Sequence, residues 1–176
     1  MTPRDALDTL ERSLGIREDE LAQALSSNRR TLQRWRAGTA YPQQLARQRL
    51  AELLGGSRRP VKLFLVDQGR IAGLGNIYSN EALWRAGLDP RRRTNRLSAV
   101  ETRRLHKGIV DVLRRALECC LNPAPNFRDP EWWFQGLEKI LGVYGREGKR
   151  CRRCGERIRR IAQGARSSYF CPGCQR

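Results

Sequence analysis

The chain has no run of apolar residues approaching the length of a membrane-crossing helix, and its first residues lack the apolar core of a signal peptide. No membrane partner is expected, and the reading is a cytoplasmic, nucleoid-associated protein. Histidine occurs once, at His106, so no Ser/His/Asp constellation can be assembled. His106 sits among Arg103, Arg104 and Lys107 and reads as solvated or phosphate-facing. Repeats and low-complexity tracts are missing. Acidic residues are in the minority: 18 Asp+Glu against 35 Lys+Arg leave a net charge of +17 and a sequence pI near 11.0. That excess goes beyond what solubility requires and points to a polyanionic partner, nucleic acid ahead of membrane.

With 176 residues and 39% hydrophobic content, there is material for one ordinary domain or two small ones. Six cysteines in a reducing compartment favour metal thiolates over disulfides. Cys119 and Cys120 close an apolar helical face and read as buried thiols. The other four differ. Cys151 and Cys154 precede a sixteen-residue basic stretch that ends at Cys171 and Cys174, and two Cys-x-x-Cys knuckles at that separation hold one tetrahedral, structural zinc. The segment between them can form a two-stranded hairpin, and residues 156–170 hold four arginines and no lysine. A zinc-pinned, arginine-studded loop on so basic a chain suggests a device for gripping nucleic acid.

The remainder is helical in pattern. Thr2 and Pro3 open a first helix, a second runs from Arg17 to Leu25, and a third from Arg29 to Ala37 before Gly38. The third would bury Leu32 and Trp35 while turning Arg30, Gln33 and Arg34 outward, as a recognition helix does. This module touches DNA or forms a helical docking bundle. Pro42 opens a fourth helix, and Gly55 to Arg59 reads as a linker. Pro60 to Asp67 reads as helical, Gly69, Gly73 and Gly75 break the chain, and another helix follows from Ile77 to Ala86. Ser98 and Glu101 form a capping box for a long helix with Leu105, Ile109, Val112, Leu113, Ala116 and Leu117 on its core face. Asn122 to Arg128 is an irregular connection, and Trp132, Trp133 and Phe134 read as packing aromatics.

Leu65-Val66-Asp67-Gln68, Ile71 to Tyr78 and Glu81 to Gly87 closely resemble the helix-two-turns-helix module of formamidopyrimidine-DNA glycosylases and endonuclease VIII. Val143 to Gly148, the four cysteines and Arg166 to Pro172 resemble that family's zinc finger. The resemblance spans about Arg59 to Gln175. It implies that the turn at Gly73, Gly75 and Asn76 and the tip of the finger hold phosphates around an extruded nucleotide in double-stranded, possibly damaged DNA. Asn76 and Arg166 match the phosphate-gripping pair, with Tyr144 and Arg146 in the finger's opening motif. The chemistry is sensible in its own right: glycines let backbone approach a phosphate, helix-terminal amides point at it, and arginine offers a fork of donors. Asn76 read alone is a helix cap; the surrounding motif turns the reading to phosphate gripping.

Members of that family resemble one another in opening with proline and glutamate, the proline amine being the nucleophile. Here Thr2 precedes Pro3, which makes the Pro3 nitrogen an amide, and Arg4 stands where glutamate is expected. The β-sandwich catalytic domain is not recognised. Residues 122–141 lack the family's glycine- and threonine-rich stretch.

The expected fold is mainly α: a helix-turn-helix-like module over 1–55, a linker over 56–59, a helix-two-turns-helix domain over 60–142 and a four-cysteine β-hairpin zinc finger over 143–176. The expected function is DNA gripping without a glycosylase nucleophile of its own. The alternative is glycosylase or abasic-site lyase activity through another amine, from Thr2 or a lysine such as Lys62, or through a separate catalytic subunit. A rearranged fusion without selected activity is a third possibility.

Overall fold

The computed structural model describes residues 42–71, 73–121 and 137–176. The three helices expected before residue 41, with Arg30, Gln33 and Arg34, lie outside the described residues, as do residues 122–136 with their tryptophans. The chain divides into two compact units, 1–49 and 50–176, and the second carries everything that follows.

Helix α1, Pro42–Gly55, delivers Leu50 and Leu54 into the core of this second unit. The Gly55 to Arg59 stretch, expected as a linker, is tied down: the Thr94 amide donates to the Arg59 carbonyl at 3.0 Å, and the Arg59 guanidinium reaches Asp67 at 2.7 Å. Helix α2 is a short Val61–Leu65 segment. Its leading amides have no intrahelical acceptor, so Val61 donates to the Arg92 carbonyl at 2.7 Å and Lys62 to that of Pro90 at 3.2 Å. Helix α3, Asn76–Ala86, starts one residue before its expected beginning and stops at Gly87, whose φ of 70° permits a left-handed turn. Leu88 donates back to Leu83 and Gly87 to Trp84, closing the helix with a Schellman pattern. After a 3-10 turn at Thr94–Arg96 comes the long α4, Ala99–Leu121. Its start follows the predicted capping box: the Ser98 amide donates to Glu101 at 2.8 Å, and the Glu101 amide to the Ser98 hydroxyl at 3.2 Å.

Val61, Phe64, Leu65, Leu74, Leu83, Leu88 and Leu105 fill one apolar core with Leu50 and Leu54. Removing a leucine side chain of this kind from water contributes about 1.5–3 kcal/mol. Helices α3 and α4 pack closely because position 108 is glycine; a Cβ there would lie 2.6 Å from the Ala82 carbonyl oxygen.

A short helix α5, Leu137–Ile140, leads into the tail, which carries all the strand among the described residues. Strands β1, Arg159–Gln163, and β2, Arg166–Phe170, pair antiparallel with Arg159 opposite Phe170 and Gln163 opposite Arg166. Gly164, with φ of 60°, and Ala165 make the two-residue turn. Trp84 from α3 joins Val143, Cys151, Ile158 and Cys171 in a second core, so the hairpin finger shares its interior with the helical layer.

Candidate nucleic-acid interface and zinc centre

The finger is fastened to α3 by three of that helix's polar residues. Asn76 donates through Nδ2 to the Ser167 carbonyl at 3.3 Å, and Asn80 accepts from the Tyr169 amide through Oδ1 at 2.9 Å. These bonds occupy the edge of β2 that faces away from β1 and satisfy backbone groups a free edge would leave open. Glu81, fully buried, accepts from three successive amides: Gly142 at 2.8 Å, Val143 at 2.9 Å and Tyr144 at 2.9 Å. One carboxylate thus orders the whole entry to the finger. Gly142 is required beside it, since a Cβ there would fall 2.2 Å from the Trp84 ring.

This fastening brings the predicted phosphate-gripping residues together. Arg166, exposed at the hairpin tip, follows directly after the turn. Asn76 begins α3, where the first amides lack helical acceptors and the helix dipole favours an anion. Gly75 caps that helix in an extended conformation with nothing within 4 Å of where its Cβ would be, and Gly73 takes a φ of 78°. The Gly73 amide donates to Gln68 Oε1 at 3.0 Å while Gln68 Nε2 donates to the Leu74 carbonyl at 3.2 Å, so a single side chain bridges the turn.

Lys62 completes the group, in a role its sequence position does not announce. From α2 it donates through Nζ to Asn76 Oδ1 at 2.5 Å, and the residue is 1% exposed. Burial, and then the neighbouring positive charge of Arg166, bring its pKa down to about 8. Two cations and an amide therefore converge on one spot, and among the described residues no carboxylate is ion-paired with either cation. An anion placed there would relieve the repulsion between them.

Tyr144 and Arg146 make structural contacts within the finger. Tyr144 is half-buried and meets Tyr169 edge-on, ring centroids 5.2 Å apart. Arg146, also half-buried, donates to the Arg150 carbonyl at 3.1 Å. His106 lies half-buried on α4. The side chains of Cys119 and Cys120 lie outside the described residues.

Cys151, Cys154, Cys171 and Cys174 bring their four sulfurs within 4.8 Å of one another, with 3.8 Å between Cys151 and Cys174 and 3.4 Å between Cys154 and Cys171. Thiolates bound tetrahedrally at about 2.3 Å from zinc stand roughly 3.8 Å apart, so the donor set fits one zinc ion. At Cys151 burial pushes the thiol up, but hydrogen bonds, led by the amides of Arg153 and Cys154, outweigh it and bring the pKa to about 6. Cys171 and Cys174 are pushed up, by burial first and then by their sulfur neighbours. One thiolate is stabilised by protein dipoles; a dication is what holds four together.

Two known domains match this architecture. The formamidopyrimidine-DNA glycosylase H2TH domain matches residues 39–122, and the zinc finger found in FPG and IleRS matches residues 148–176. The formamidopyrimidine-DNA glycosylase of Roseiflexus sp. (strain RS-1) is 43% identical over 129 residues, covering 73% of this chain and 47% of that protein. That of Jannaschia sp. (strain CCS1) is 44% identical over 123 residues, covering 69% and 44%. Among solved structures, the Lactococcus lactis Fpg in complex with an abasic site containing DNA superposes with a TM-score of 0.66 at 34% identity, covering 74% of this chain and 48% of that one. MutM in complex with carbocyclic 8-oxo-G containing DNA gives a TM-score of 0.65 at 33% identity, with 74% and 47% covered. The chain spans about half the length of the relatives it matches.

Proposed function

The chain belongs, through its helix-two-turns-helix domain and its zinc finger, to the formamidopyrimidine-DNA glycosylase family, and on that premise we propose that it grips damaged or bent duplex DNA without a glycosylase nucleophile of its own. The observation that carries the reading is the meeting of Lys62, Asn76 and Arg166 at the N-terminus of α3. A backbone phosphate seated there takes up helix amides, an arginine fork and an ammonium that otherwise repel one another. Zinc supplies no chemistry to the phosphate; it holds the hairpin that presents Arg166. The relatives bound to abasic or 8-oxo-G containing DNA support a lesion-bearing duplex as the ligand.

The test is fluorescence anisotropy with a duplex carrying a stable abasic analogue against the undamaged duplex. Tighter binding of the first, lost about ten-fold in Arg166→Ala and in Asn76→Ala, is expected. Equal affinity of the wild type and both variants would sink the grip.

A second reading, abasic-site lyase activity through an amine, is favoured by one observation: at a pKa of about 8, a fraction of Lys62 is neutral near pH 7. Its near-complete burial and its bond to Asn76 oppose attack on a sugar. Borohydride trapping on abasic duplex decides between them. A covalent adduct that disappears in Lys62→Met establishes the lyase; no adduct leaves the non-covalent grip.

A further inference from the structure

At the far end of α3 from the grip lies a second cationic site. Arg85 lies nine residues after Asn76, about 13 Å along the helix axis. There a cavity of about 410 Å³ is bounded by Trp84 and Arg85 from α3, by one face of α4 and by Arg153 from the first zinc knuckle. Arg104, Lys107, Gly108 and Asp111 of α4 recur at helical spacing, which sets them on that one face. Glycine at 108 forms the floor, since the close approach of α3 leaves no room for a side chain there.

The charge balance of this cavity is unusual. Four cations, Arg85, Arg104, Lys107 and Arg153, surround a single carboxylate, Asp111. None of the four makes an ion pair within 4 Å among the described residues, with Asp111 or with any other acid. Arg85 is the most constrained: its Nε is buried and has no hydrogen-bond partner. Burial, and then the nearby charge of Arg115, lower its pKa below the ordinary arginine value against the opposing pull of Glu81 and Asp111. Arg153 is held flat, its guanidinium 4.2 Å from the centroid of the Trp84 ring while it donates to the Trp84 carbonyl. A stacked guanidinium keeps its remaining donors aimed in one plane. Preorganised cations in excess of the nearby carboxylates, none of them ion-paired within 4 Å among the described residues and one with an orphaned buried donor, form a receptor for an oxyanion.

We propose that this cavity is a second phosphate-binding site, distinct from the Lys62, Asn76 and Arg166 grip, that takes the phosphate group of a phosphoester. Arg85 and Arg153 supply fixed donors from its two walls. Arg104 and Lys107, both exposed, close over the anion from α4. The volume accommodates more than a bare phosphate, so the ligand is a nucleotide-sized phosphoester, either one unit of a nucleic-acid strand or a free nucleotide.

The proposal stands independently of DNA gripping and is tested on the full zinc-loaded chain by calorimetric titration with inorganic pyrophosphate. Saturable binding is expected in the wild type and in a variant carrying both Asn76→Ala and Arg166→Ala. It should weaken about ten-fold or more when Arg104→Gln and Lys107→Gln are combined, and further with Arg104→Glu and Lys107→Glu. Those two side chains are exposed, and unchanged circular dichroism verifies the fold. Absence of saturable binding overturns the proposal. So does loss of binding only in the Asn76 and Arg166 variant, which would place the anion in the grip, or preference for a polyglutamate peptide, which would make the face a protein-docking surface. Duplex anisotropy separates the two phosphate sources. Weaker duplex binding and a shallower salt dependence in the Arg104 and Lys107 variant assign the site to a DNA backbone; unchanged duplex binding with lost ATP binding assigns it to a free nucleotide.

Discussion

Lys62 Nζ and Asn76 Oδ1 lie 2.5 Å apart, a bond that joins α2 to the first residue of α3. Lys62 is thereby both a buried structural group and the cation nearest the start of the helix. Its depressed pKa, about 8, makes the pair sensitive to alkaline pH.

Duplex affinity should fall as pH rises through about 8. A bound phosphate favours the ammonium form, so above that pH binding must take up a proton the free protein has lost. Lys62→Met, which keeps the length of the apolar stem, should weaken binding about ten-fold at pH 7 and abolish this pH dependence. For folding the sign is opposite: ionised Lys62 opposes the fold below pH 8, and this opposition is relieved as pH rises from about 8 toward the ordinary value of 10.5. Anisotropy titrations and denaturation midpoints across pH 7 to 10 measure both trends.

Glu81 should be among the most costly positions to change. Glu81→Ala strands three amides at once, two of them buried, an expected loss of about 3 kcal/mol or more, and Glu81→Gln, which keeps one acceptor, should lose less. Chemical denaturation of the two variants gives the difference. Equal losses would mean that a single retained acceptor recovers nothing, and a Glu81→Gln variant as stable as the wild type would mean that the second oxygen contributes nothing.

Two glycines should separate folding from binding. Gly142→Ala forces a methyl into the Trp84 ring and should destabilise by about 1–3 kcal/mol or more. Gly75→Ala meets no protein atom within 4 Å and has an ordinary negative φ, so its stability should change by less than about 0.5 kcal/mol. Its methyl would nonetheless stand at the α3 N-terminus, where a phosphate approaches, and duplex affinity should drop. Comparing melting curves with binding isotherms tests both halves.

Zinc should be present at one ion per chain, and Cys154→Ser or chelation should unfold the finger. The damage should reach α3, because Asn76 and Asn80 lose the strand edge they hold and Trp84 loses its core partners. Metal analysis and amide exchange at α3 report this. Undiminished DNA affinity in the zinc-free chain would show that Arg166 needs no scaffold.

The parts that could be read from the residues were those with local causes. Ser98 and Glu101 cap each other within one helical turn, Gly87 stops α3, and the cysteine spacing announces a zinc ligand set. The roles of Lys62, Glu81 and Trp84 could not be read this way. Lys62 meets a residue fourteen positions away, Glu81 caps amides more than sixty positions away, and Trp84 packs in the finger's core. A lysine in an apolar pentapeptide and a glutamate in a helix have the same local pattern as surface charges. The Gly55 to Arg59 stretch shows the converse, since linker-like residues are fixed by Thr94 and Asp67.

Among the described residues, the sequence by itself determined the extents of α3 and α4 with the Ser98 and Glu101 cap and the Gly87 stop, the hairpin, the four zinc ligands and the strongly basic balance. Each follows from chain-local geometry or from composition. Only the tertiary structure decided that Lys62 joins Asn76 and Arg166, that one buried carboxylate anchors the finger, and that four cations without an ion pair among the described residues face one cavity. Burial, charge repulsion and hydrogen-bond satisfaction depend on which distant residues share a space, and that is settled when the finger folds back onto α3.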